Sequence, residues 1–158
     1  MSKPRHYPQE PAHLWEHFYQ ITRCPRPSCE ETAVRNYVLK IAKDIGATIF
    51  EDSAGNILLK VAGTNGMEKA PTVILQNHLD MVCDKALGKK FNFQTDPIEL
   101  QIQGDWLQAI DTTLGADNGI GCAAALALLT DKKVAHPPLE VLFTVDEETG
   151  LHGANNLD

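Results

Sequence analysis

The chain has no apolar run long enough to cross a bilayer. Its longest, Ile120 to Leu129, reads as a buried helix. It has no excess of positive charge: 14 Lys and Arg stand against 21 Asp and Glu, a formal charge of -7. Nucleic acid and anionic membranes are therefore not expected as partners recognised through overall charge. There is no paired CxxC. Cys24, Cys29, Cys83 and Cys122 match neither a zinc ribbon nor a disulfide framework, which fits a reducing, cytoplasmic setting. The N-terminus, MSKPRHYPQEP, is polar and Pro-rich where a secretory signal is basic and then apolar. No internal repeat or low-complexity tract is visible. What remains is ordinary for a globular protein: 158 residues, 43% apolar and 22% charged, enough for one domain with a real core.

Along the chain, helical and extended periods alternate. The first ten residues read as loose. Pro11 opens a helix with Leu14, Trp15, Phe18 and Ile21 on one face, broken at Cys24-Pro25-Arg26-Pro27. Ser28 and Glu31 have the spacing of a capping box for a second helix. That helix buries Val34, Tyr37 or Val38, Ile41 and Ile45, and Gly46 ends it. Ala47–Phe50 and Ile57–Val61 read as strands joined by Asp-Ser-Ala-Gly-Asn turn chemistry. Thr72–Gln76 and Leu139–Val145 are continuously apolar at their centres, the pattern of buried parallel strands. Ile98–Ile102 and Trp106–Ile110 pair about a Gly-Asp turn, and a short helix starts near Gly153. His6, His13 and His17 read as exposed, His136 as a loop residue. Cys83 and Cys122 read as small buried hydrophobes, and Trp15 and Trp106 as packing residues.

Three motifs fall where buried strands end or helices begin, the edge at which open α/β sheets bind ligands. In His78-Leu79-Asp80, alternation puts both side chains on one side. Asp80 suits a carboxylate that orients a metal-bound His. Taken alone, such a pair is more often ordinary surface or core polarity. Asp117 lies in Gly115-Ala116-Asp117-Asn118-Gly119-Ile120-Gly121. It either caps the helix or bridges two cations, with small neighbours allowing close approach. A phosphate loop is disfavoured, because no Lys-Ser/Thr follows and the Asp would repel the anion. Glu147-Glu148 is either a solvated helix start or a pair in which one acid binds metal and the other handles water. Together the motifs supply ligands suited to Zn²⁺ or Mn²⁺. Two cations about 3.5–4 Å apart could polarise a carbonyl and acidify water, with Glu147 as the base.

These residues resemble a known family. Gln76-Asn77-His78-Leu79-Asp80-Met81-Val82, Thr112-Thr113-Leu114-Gly115-Ala116-Asp117-Asn118-Gly119-Ile120-Gly121 and Glu147-Glu148-Thr149-Gly150 look like the aminoacyl-histidine dipeptidases. These are also called Xaa-His or cytosol non-specific dipeptidases. They belong to the zinc peptidase superfamily that includes aminoacylase and carnosinase. The resemblance implies an α/β fold with a mixed, mostly parallel central sheet flanked by helices. It implies His78, Asp117 and Glu148 as metal ligands, with Asp117 bridging two Zn²⁺ (Mn²⁺ or Co²⁺ being possible). Glu147 and Asp80 are the catalytic pair it implies, Glu147 as base and Asp80 behind His78. It also implies a cis peptide between Asp117 and Asn118, a dipeptide substrate, and a homodimer for the full-length form.

The departure is length. A further acidic ligand, a distant His and a lid or dimerisation domain are expected beyond residue 158, so residues 1–158 read as the N-terminal portion of a catalytic domain. Each zinc would keep only two protein ligands from this chain where a catalytic zinc usually has three. Weak zinc binding and little or no peptidase activity are expected of the chain alone. The rival readings are another amidohydrolase or tripeptidase of the same superfamily, and a non-catalytic interaction module.

Overall fold

A computed structural model describes residues 2–158 of the chain. Helices α1 (Ala12–Arg23) and α2 (Thr32–Asp44) come first. α1 stops at Cys24, whose backbone is extended ahead of Pro25. α2 buries Val34, Val38 and Ala42, one turn apart on one face, and Gly46 at φ +70° turns the chain out of it. Strands β1 (Thr48–Glu51) and β2 (Ile57–Val61) form a hairpin. Its turn is closed by the Asp52 carboxylate, which accepts the Asn56 N–H at 2.8 Å. Then follow β3 (Val73–His78), β4 (Leu100–Gln103), β5 (Trp106–Ala109), α3 (Ala116–Thr130), β6 (Leu139–Thr144) and α4 (His152–Asn155).

The main sheet has the order β1-β2-β6-β3. The α/β fold with a mixed sheet is as expected, but the sheet is mostly antiparallel rather than mostly parallel. Only β3 and β6 run parallel. The hairpin forces β1 against β2, and β6 then takes β2 antiparallel on its other side. On one face of the sheet Leu59 and Val141 are directly paired, as are Ile57 and Phe143, and all four are fully buried. Burying each such side chain is worth about 1.5–3 kcal/mol. Phe18 and Ile21 of α1, Val34 and Val38 of α2, and Cys122 and Leu126 of α3 join this core. The opposite face carries Phe50, Leu58, Leu142 and Ile74, with Ile74 65% exposed. β3 is thus an edge strand with one open face, not the buried strand its apolar centre suggested.

Other local expectations change for similar reasons. The N-terminal segment is tied down at Tyr7. Tyr7 is buried edge-on against Trp15 and Tyr19, and its hydroxyl donates to the Trp15 carbonyl at 3.0 Å. Trp106 is exposed because β4 and β5 form a separate two-stranded sheet. Cys83 is exposed on the loop after β3, whereas Cys122 is buried in α3. His6 and His13 are exposed, and His136 lies on a connector but is buried.

His17 is buried too, and it joins three helices. Its Nδ1 lies 2.6 Å from the Tyr37 hydroxyl of α2 and its Nε2 2.9 Å from the Thr130 hydroxyl of α3. Thr130 donates its own proton to the Leu126 carbonyl at 2.9 Å, so Nε2–H donates to Thr130 and Nδ1 accepts from Tyr37. That arrangement needs the neutral ring. Burial, reinforced by the nearby His13 and opposed by Glu16, lowers the His17 pKa to about 4. The unfolded chain, near 6.5, therefore binds the extra proton first as pH falls. His17 contributes full stability above pH 6.5, and the contribution is lost progressively toward pH 4. Linkage gives a loss of about 2–3 kcal/mol between pH 7.5 and 4.5. Urea unfolding of wild type and His17→Gln at both pH values checks this: the advantage of wild type should shrink by that amount in acid.

Candidate metal centre

The parallel pairing of β3 with β6 sets the site. His78 lies opposite Thr144 in register, so both strands leave the sheet at the same edge. The pairing continues one step further, with Leu79 N–H donating to the Thr144 carbonyl at 2.8 Å. Leu79-Asp80 and Val145–Glu148 therefore emerge side by side. The third loop arrives from α3. Cys122, one turn into that helix, donates its thiol to the His78 carbonyl at 3.2 Å. Asp117 and Asn118 lie outside helical backbone angles, and the peptide between them is cis, as the resemblance implied. Asp117 does not cap the helix: its carboxylate faces His78.

His78, Asp117 and Glu148 each offer a ligand atom, and all three atoms lie within 4.8 Å of one another. His78 Nε2 is 3.0 Å from Asp117 Oδ1 and 3.9 Å from Glu147 Oε2. On its other side, Nδ1 donates to Asp80 Oδ1 at 3.3 Å. Asp80 is fully buried with every acceptor position used. Oδ1 also accepts the Glu147 N–H at 3.1 Å, while Oδ2 accepts the Glu148 N–H at 3.0 Å and the Ser28 hydroxyl at 2.7 Å. One carboxylate thus fixes the ring of His78 and the backbone of both glutamates.

The charges are unbalanced. Four carboxylates, Asp80, Asp117, Glu147 and Glu148, surround one imidazole. Burial works against a charged His78, but its hydrogen bonds to Asp80 and Asp117 and the charge of Glu147 outweigh that and raise its pKa to about 9. Burial likewise opposes ionisation of Asp80, yet the His78, Ser28 and backbone donors hold it well below the usual carboxylate range. Partial burial raises the Glu148 pKa, as do its acidic neighbours, while His78 opposes this. Such a group of one nitrogen and several hard oxygens fits a divalent cation such as Zn²⁺ or Mn²⁺.

All five expected residues, His78, Asp80, Asp117, Glu147 and Glu148, meet at this edge. Sequence reasoning missed three others. Arg26 is buried, Ser28 donates to Asp80, and Glu31 is buried with its carboxylate on the Asp146 N–H at 2.8 Å. The Ser28–Glu31 spacing drew attention, but as a helix cap. In the structure the side chain of neither caps α2. Gly115 is required here. Its φ is +68°, and an added Cβ would run into the Arg26 guanidinium and the Met81 side chain. Gly115→Ala should cost about 1–2 kcal/mol from backbone conformation alone, read as a lowered urea midpoint.

No family model matches the chain. It is 47% identical over 147 residues to the cytosol non-specific dipeptidase of Escherichia coli, covering 93% of this chain and 30% of that protein. The crystal structure of aminoacylhistidine dipeptidase from Vibrio alginolyticus superimposes with a TM-score of 0.91 at 44% identity, covering 94% of this chain and 30% of that one. A Staphylococcus aureus tripeptidase shares the fold at 22% identity, with a TM-score of 0.75 over 92% of this chain and 39% of its own. The chain thus spans about 30% of the length of the dipeptidases it matches. In sequence and in fold it is similar to that stretch of the aminoacylhistidine and cytosol non-specific dipeptidases.

Proposed function

We propose that this chain supplies the part of a metal-dependent dipeptidase that carries His78, Asp80, Asp117, Glu147 and Glu148, acting on unblocked dipeptides, Xaa-His among them. The observation that carries this reading is the convergence of three ligand atoms within 4.8 Å at the edge shared by β3 and β6. His78 through Nε2, Asp117 and Glu148 would hold the metal; Zn²⁺, Mn²⁺ and Co²⁺ all suit these donors. When bound, such cations supply Lewis acidity toward a peptide carbonyl and toward water. Asp80 acts through His78: by holding the Nδ1 proton it leaves Nε2 as the free donor atom. Glu147 removes a proton from water as the water oxygen adds to the carbonyl carbon. It passes that proton to the amine nitrogen as the C–N bond breaks.

In this reading residues 1–158 are the N-terminal portion of a catalytic domain. The remaining ligands, the lid and the contacts of a homodimer belong to other parts of the complete enzyme. The chain alone should bind zinc weakly and turn over dipeptides poorly. Four free cysteines suit a cytoplasmic setting.

Substituting the chain for its matching stretch in the E. coli dipeptidase tests the proposal. The chimera should hydrolyse Xaa-His dipeptides, lose that activity to a chelator and regain it with Zn²⁺ or Mn²⁺. A folded chimera that binds zinc but cleaves no dipeptide would refute the proposal. Preference for tripeptides would move the reading to a tripeptidase.

A further inference from the structure

Residues 26–31, between α1 and α2, send three side chains to the site: Arg26 and Glu31 to the backbone of its loops and Ser28 to the Asp80 carboxylate. Arg26 is 2% exposed. Its Nη1 donates to the carbonyls of Leu79 at 3.0 Å and Asp80 at 2.7 Å, and its Nη2 donates to the Gly115 carbonyl. One guanidinium therefore joins the exit of β3 to the loop that carries Asp117. The backbone returns the contact: Met81 N–H donates to the Arg26 carbonyl at 3.2 Å, and Pro27 pairs with Met81. Ser28 donates to Asp80 Oδ2 at 2.7 Å. Glu31 is 5% exposed, and its Oε1 accepts the Cys29 N–H at 3.1 Å and the Asp146 N–H at 2.8 Å, just ahead of Glu147-Glu148.

Burying an arginine and a glutamate costs several kcal/mol each unless their polar atoms are satisfied. Here the partners that satisfy them include the backbone of the loops whose spacing matters. The sheet registers the 78–80 loop against the 145–148 loop, but it does not reach residues 115–117. Planar, forked donors on Arg26 span that gap with a geometry a lysine cannot reproduce. We infer that the turn 26–31 holds the three loops of the metal centre in mutual register, with Arg26, Ser28 and Glu31 as positioning residues that do not touch the metal. The inference rests on the metal-centre reading proposed above.

The test uses the whole 158-residue chain and two readouts. Zn²⁺ affinity is measured by chelator competition, with the Co²⁺ absorption spectrum recorded alongside. Amide hydrogen exchange is measured on the metal-free chain. Ser28→Ala and Glu31→Leu should each weaken Zn²⁺ binding by about tenfold or more and change the Co²⁺ spectrum. Ser28→Thr and Glu31→Gln, which keep a hydroxyl and an acceptor oxygen, should restore both. In the metal-free Glu31→Leu and Ser28→Ala variants, exchange should quicken at residues 146–148, with β2 and β6 unchanged. Arg26→Lys is the harsher variant, and where it fails to fold the milder ones decide. Wild-type metal affinity, spectrum and loop exchange in Ser28→Ala and Glu31→Leu would overturn the inference. If wild type binds no Zn²⁺ either alone or in the chimera, the metal-centre reading falls. The register of the loops is then judged on exchange alone: local quickening upholds it and unchanged rates overturn it.

Discussion

Glu147→Gln in the chimera should lower kcat for Xaa-His hydrolysis by about 10²–10⁴-fold while zinc content stays as in the parent chimera. The size follows from the loss of one positioned base, and the specificity follows from the geometry. Glu147 is anchored through its backbone, whose N–H donates to Asp80 Oδ1 at 3.1 Å. The substitution leaves that anchor in place and removes only the basic oxygen. The side chain is about one-third exposed and lies 3.9 Å from His78 Nε2, within reach of the site without being among the three converging ligands. An amide of nearly the same shape keeps the packing but cannot take a proton from water. Steady-state kinetics together with metal analysis reads both quantities. A fall in activity matched by a fall in zinc content would make Glu147 a ligand instead of a base.

Asp117→Ala should reduce the Zn²⁺ affinity of the chain by about 100-fold, some 2.7 kcal/mol, with little effect on its stability. The Asp117 side chain is 85% exposed, so no core packing is lost. Its carboxylate lies 3.0 Å from His78 Nε2, so removing it takes away one of the three converging atoms proposed to hold the metal. Isothermal titration with Zn²⁺, paired with urea unfolding of the metal-free variant, separates the two effects. Equal stoichiometry and affinity in wild type and variant would remove Asp117 from the site.

The five residues that meet at the candidate site were readable in the sequence because each motif carries its own local logic. His78-x-Asp80 on a strand places two side chains on one side whatever the neighbouring strands do. Asp117 among glycines, and two adjacent acids after an apolar run, are likewise local statements. The supporting turn was not readable. Ser28 can cap a helix or bond a carboxylate elsewhere, and the local rule chose the cap. In the fold Asp80, 52 residues away, takes the Ser28 hydroxyl instead. His17 read as exposed because a polar residue near an apolar helix stripe usually is. Its burial depends on Tyr37 and Thr130, which arrive from two other helices.

The sequence by itself determined the succession of helices and strands, much of the apolar core, and the five polar residues at the ends of β3, α3 and β6. Those follow from periodicity, turn chemistry and residue type, which act over a few neighbours. Only the tertiary structure decided that the sheet is mostly antiparallel, that β3 is an edge with an open face, and that residues 26–31 brace the loops around His78. An apolar run specifies that a strand is buried somewhere along its length, not which neighbour it pairs with or in which direction. A buried polar side chain is satisfied by whichever partner the folded chain brings within about 3 Å.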